Sequence, residues 1–96
     1  MLKHIVFMKF KQAVTDREIT DLEKGLGGLP GAIPEIRSYE FGRDIIRSER
    51  SYDFCLVSSF EDLESMKRYS VHPDHVVVLN KVRSMCDSVL AVDFEG

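Results

Sequence analysis

The stretch YDFCLVSSFEDLESMKRYSVHPDHVVVLN, Tyr52 to Asn80, decides how this chain is read. Its first part, Tyr52 to Phe60, is rich in β-formers and reads as a strand. Side chains alternate along a strand. Phe54 and Leu56 therefore share one face, and Cys55 and Val57 the other. Both faces are apolar. Glu61 to Ser70 then reads as a short helix with acids in its first turn, where the positive end of the helix dipole favours them. Pro73 opens a second helix that runs to about Asp87, since proline suits the first helical turn. The reading is thus a strand followed by two helices, broken at His72-Pro73.

Working outward, Leu2 to Lys11 alternates as a second strand with His4, Val6, Met8 and Phe10 on one face. Ile5, Phe7, Lys9 and Lys11 take the other. Thr15-Asp16-Arg17-Glu18 fits a capping box with Thr15 as N-cap. The helix it opens places Ile19, Leu22, Leu26 and Leu29 on one stripe. Glycines predict its end near Gly25 to Gly28, ahead of the turn-rich connector LPGAIPE. Ile36 to Phe41 reads as a strand, GRDIIRSERS as a charged link, and Val89 to Phe94 as a closing strand. The order β-α-β-β-α-α-β predicts an α+β, ferredoxin-like fold over residues 1–96. It is one domain, with a four-stranded antiparallel sheet and helices on one face.

The helices of one chain can cover only one side of such a sheet. The other side would expose a large apolar patch, which lone soluble proteins rarely do. A second copy packed sheet to sheet would bury it, so a homodimer is expected, with Phe7, Cys55 and Val57 at the interface. A chain of 96 residues also buries a modest share of its surface alone, and pairing helps it.

Composition narrows the classes of function. A net charge of −3 offers no basic field for nucleic acid or anionic lipid. The opening MLKHIVFMKFKQ is interrupted by lysines and does not read as a signal peptide. No stretch approaches the roughly 20 apolar residues of a membrane span. Cys55 and Cys86, the 2 cysteines, read as reduced buried thiols of a cytoplasmic protein.

Chemistry gathers at the histidines. His72-x-x-His75 suggests a metal pair at first sight. However, a residue before proline is pushed out of helical geometry, so His72 points away from the direction His75 takes. With no third ligand nearby, no metal is expected. His75 falls on the stripe of Val78, Leu79, Val82 and Cys86, which turns it inward. Burial and the helix dipole both favour its neutral form, a plausible general base. His4 lies on the apolar face of the first strand, where a polar group needs a partner or a cavity. The Pro73 break lets Tyr69 converge with His75. The residues by themselves leave two readings open: one shared site, or separate satisfied core groups.

KHIVFMKFK, YDFCLVSSFEDLESMKRY and HPDHVVVLNKVRSMCDSVLAVDFE together resemble the stress-responsive α/β-barrel family, the Dabb domain. The resemblance spans nearly the whole chain, and its most specific part is Tyr69 with His72-Pro73-x-His75. It implies a ferredoxin-like subunit and a dimer whose two sheets form a barrel. Many members have no known activity. One plant member closes a linear polyketide by aldol condensation without a cofactor, and its site resembles His4, Tyr69 and His75. There the match to His75 is the base, and the match to Tyr69 polarises or positions the substrate. A histidine of that site corresponds to Phe54 here, which weakens the transfer of activity.

The expected site is therefore catalytic His75, His4 and Tyr69, lined by Val6, Met8, Leu22, Phe54 and Leu79, with no cofactor and no metal. Its occupant is a small hydrophobic, carbonyl-containing molecule. The alternative is a non-enzymatic, stress-related dimer whose histidines are structural. A cofactor-free monooxygenase of the same plan has little support, because the chain has no Trp and Asn80 is its only Asn.

Overall fold

A computed structural model describes residues 1–96. The elements run β1 (Leu2–Phe10), α1 (Asp16–Ala32), β2 (Ser38–Arg43), β3 (Phe54–Phe60), α2 (Leu63–Val71), α3 (Pro73–Met85) and β4 (Cys86–Glu95). The four strands form one sheet in the order β2-β3-β1-β4, and every neighbouring pair is antiparallel. This is the ferredoxin-like order expected from the sequence. No helix is long and apolar enough to cross a membrane.

The helices pack on the face that carries Met8, Phe54, Leu56 and Phe60. Leu22, Leu26 and Leu29 from α1, Tyr69 from α2, and Val78, Val82 and Met85 from α3 close the core over it. The alternation of β1 assigns Ile5 and Phe7 to the opposite face. Ile5 stands between Val57 on β3 and Val92 on β4, and Phe7 between Cys55 and Leu90. Nothing in the chain covers this outer side: Phe7, Leu90, Val92 and Phe94 are 38–54% exposed.

Local chemistry explains the element starts. Glu18 N–H donates to Thr15 Oγ1 at 3.2 Å and Thr15 N–H to Glu18 Oε1 at 3.1 Å, so the capping box forms. The α2 helix starts later than expected. Asp62 is its N-cap, accepting from Ser65 N–H at 2.8 Å, and the bond holds the Asp62 carboxyl below its ordinary pKa.

Other boundaries also differ from the sequence reading. The first helix does not stop at Gly25–Gly28 but continues to Ala32, through Pro30. No glycine has a positive φ, so none acts as a left-handed cap. Burial of Leu26, Leu29 and Ile33 outweighs the roughly 1 kcal/mol that each glycine costs a helix. The second strand is shifted to Ser38–Arg43 because it must register with β3, where Tyr39 faces Ser58 and Phe41 faces Leu56. The closing strand starts at Cys86, directly after α3 and with no loop.

Both cysteines are free and half-buried rather than fully buried. Burial raises the Cys55 thiol pKa, and burial with the charges of Asp53 and Asp87 pushes Cys86 up to about 11. Pairing of β1 with β4 also brings the ends together: Gly96 N–H donates to the Met1 carbonyl oxygen at 2.9 Å.

Candidate functional site

The break between α2 and α3 gives its two histidines different work. His72 is extended, at φ −62° and ψ 134°, and caps α3: its Nδ1 accepts from Asp74 N–H at 3.1 Å. This satisfies one of the free N–H groups that every helix start leaves. His75, in the first turn of α3, instead donates from Nδ1 to the Ser70 carbonyl oxygen at 2.9 Å. That bond fixes the tautomer and leaves Nε2 as an acceptor. Burial lowers the His75 pKa; the Ser70 bond opposes this, and the nearby His4 and His72 add to it. The imidazole is therefore neutral at pH 7.

Tyr69 packs its ring against His75, with centroids 4.2 Å apart, and against Phe60 at 4.8 Å. It is 2% exposed, and burial raises its pKa. Its hydroxyl lies 2.8 Å from the hydroxyl of Tyr39, which reaches over from β2. His4 comes up from β1 and bonds through Nδ1 to the Asp93 carboxylate on β4. This pairing leaves His4 Nε2 free, in the manner of a histidine oriented by a carboxylate.

His4, Tyr69 and His75 share a cleft of about 290 Å³ between α2–α3 and the β1–β4 side of the sheet. Val6, Met8, Leu56, Val78, Leu79 and Val82 supply much of its apolar wall. Val89 and Ala91 of β4, which pair with Met8 and Val6, continue the same helix-side face and complete the lining. The cleft thus combines greasy walls with a few polar groups, the usual make-up of a small-molecule site.

Of the residues singled out in the sequence, His4, Tyr69, His75, Val6, Met8 and Leu79 meet at this cleft. Leu22 and Phe54 do not. Leu22 is fully buried under α1, and Phe54 is stacked on Phe41 at 6.1 Å in the core. No three His, Cys, Asp or Glu side chains gather as a metal site would require. Sequence reasoning missed Asp93 and Tyr39. They lie 89 and 30 residues from their partners: Asp93 meets His4 through the β1–β4 register, and Tyr39 on β2 meets Tyr69 on α2 through the packing of helix on sheet.

The profile of the stress responsive A/B barrel domain matches residues 2–96, nearly the entire chain. The chain belongs to the stress-responsive A/B barrel domain family. Among A/B barrel relatives, the stress-response A/B barrel domain-containing protein HS1 of Arabidopsis thaliana is 28% identical over 96 residues, covering 98% of this chain and 88% of that protein. Olivetolic acid cyclase of Cannabis sativa is 27% identical over 95 residues, covering 97% and 94%. A crystal structure from Thermobifida fusca, described as a dimeric ferredoxin-like protein of unknown function, superposes with a TM-score of 0.91 at 30% identity. It covers 99% of this chain and 90% of that one. The A/B barrel family thus includes both a named cyclase and proteins with no assigned chemistry.

Proposed function

We propose that this A/B barrel protein is a cytoplasmic homodimer whose cleft takes a small, apolar, carbonyl-bearing molecule and moves protons on it without a cofactor. The observation that carries this reading is the meeting of a neutral imidazole, a phenol and a carboxylate-held histidine in one apolar cleft. His75 Nε2 takes a proton from the carbon next to the carbonyl. The C–H electron pair moves into a new C=C bond and the carbonyl electrons onto oxygen, giving an enolate. Tyr69 donates a hydrogen bond to that oxyanion. His4, held by Asp93, orients the substrate. The enolate then either regains the proton from His75 on carbon, or attacks a second carbonyl, whose π electrons move to its oxygen and take the proton back from His75.

The dimer reading is supported by the uncovered apolar face of Phe7, Leu90, Val92 and Phe94 and by the dimeric relative from Thermobifida fusca.

A direct test is exchange of the α-protons of acetophenone with D2O, followed by NMR. Wild-type protein should accelerate it, His75→Ala should abolish the acceleration, and Tyr69→Phe should retain a rate lower by about 10²–10³. No acceleration by wild-type protein would overturn the acid–base reading. It would favour the non-enzymatic one, which the His72 cap and the His75–Ser70 bond support, because both tie the α2–α3 break.

A further inference from the structure

We infer that Tyr39 is a positioning residue for this site: its hydroxyl donates to the Tyr69 oxygen and so frees the Tyr69 proton for a ligand in the cleft. The inference rests on the acid–base reading of the cleft and extends it to a residue outside the cleft lining. The two hydroxyls lie 2.8 Å apart, and this is the one side-chain hydrogen bond that either tyrosine makes. Two phenols in contact hold two protons but form one bond between them. The second proton must leave the pair, either toward Tyr39's surroundings or toward the cleft that Tyr69 lines.

A ligand oxyanion decides which. When Tyr69 donates to it, the Tyr69 oxygen gains negative charge and becomes a better acceptor for Tyr39. The chain Tyr39–OH to Tyr69–OH to oxyanion is then polarised in one direction, each bond strengthening the next. Ring contacts hold the pair in place. Tyr39 is edge-on to Tyr69, with centroids 6.2 Å apart and planes at 65°, and it also packs on Phe41 at 6.4 Å. Thus β2, at one edge of the sheet, reaches under α2 and fixes a phenol that serves a cleft over the other edge. Charge follows the same order. Tyr39 has its pKa raised by burial and then by Tyr69, whereas the bond from Tyr39 pulls the Tyr69 pKa back down against burial.

The experiment reads the acidity of Tyr69 itself. A fluorinated tyrosine, more acidic than tyrosine, is placed at position 69, and its ionisation is followed by absorbance with and without Tyr39→Phe. That substitution deletes only an oxygen and keeps both ring contacts. Loss of the donor should make the position-69 phenol about tenfold weaker as an acid. An unchanged or stronger acid would show that Tyr39 merely packs and does not donate to the position-69 oxygen, and would overturn the inference. A second measurement needs no variant. The chain has 3 tyrosines, so their ring-carbon NMR signals can be titrated individually. Tyr69 should ionise before Tyr39, and the reverse order would also overturn it. Neither measurement uses a substrate. Failure to find acetophenone exchange therefore defeats the acid–base reading while leaving the Tyr39–Tyr69 relationship separately decided.

Discussion

The Nδ1–H of His75 donates to the Ser70 carbonyl oxygen at 2.9 Å, across the break between α2 and α3. One bond thereby satisfies the last turn of α2, fixes the imidazole tautomer and leaves Nε2 without a proton. Proline supplies the geometry: His72 is extended before Pro73, and the chain turns there.

That arrangement predicts a pH dependence. Burial holds the folded-state pKa of His75 below its ordinary value of 6.5. The unfolded chain therefore takes up a proton at this position before the folded chain does. Stability is present above pH 6.5 and falls as the pH drops through the lower, folded value. A series of melting temperatures from roughly pH 7.5 to 5 should decline on the acid side, and His75→Ala should flatten part of that decline. Curves that stay parallel would show that His75 carries no such linkage.

The neighbouring histidine should behave otherwise. His72→Ala removes an N-cap and should cost about 1 kcal/mol of stability in urea titration. Because His72 is not part of the cleft lining, acetophenone-induced NMR shifts at Tyr69 and Leu79 should persist in this variant. Their loss would mean that the cap also shapes the cleft.

The outer face of the sheet sets the association state. Val57 stands beside Ile5, itself flanked by Val92, in the middle of the uncovered apolar face. Val57→Lys should place an unpaired charge there, cost a few kcal/mol of association and shift sedimentation from dimer to monomer. A wild-type protein that sediments as a stable monomer at micromolar concentration would refute the pairing.

Gly28 offers a stabilising change. It lies inside α1 without a positive φ, and a Cβ built on it meets nothing within 4 Å. Gly28→Ala should raise stability by about 0.5–1 kcal/mol, seen as a higher melting temperature. A lower one would mean that the helix bends at this glycine in solution.

How much of this was legible in the sequence depended on distance along the chain. Alternation in β1 and β3 placed His4, Val6 and Met8 on the helix side and Phe7, Cys55 and Val57 opposite, because period two is a local property. The separate directions of His72 and His75 followed from one proline. The end of α1 was misread because glycine propensity is also local, whereas Leu26, Leu29 and Ile33 are held by contacts with distant strands. Phe54 was taken for a lining residue from its face and from the resemblance, which matches it to a site histidine, yet it is buried in the core and stacked on Phe41. Asp93 and Tyr39 left no pattern at all. A carboxylate near the end of the chain becomes a partner of His4 only once β1 and β4 are in register.

The pairing of β1 with β4 also makes the order of the elements negotiable. With Gly96 bonded to Met1, a few added residues would join the two ends, and the exposed turn around Ile45 and Ile46 could become the new opening. Such a circular permutant would begin near β3 and end with β2. The strand that bears His4 and the strand that bears Asp93 would then be joined by a short hairpin, and the cleft's most distant partners in sequence would become neighbours.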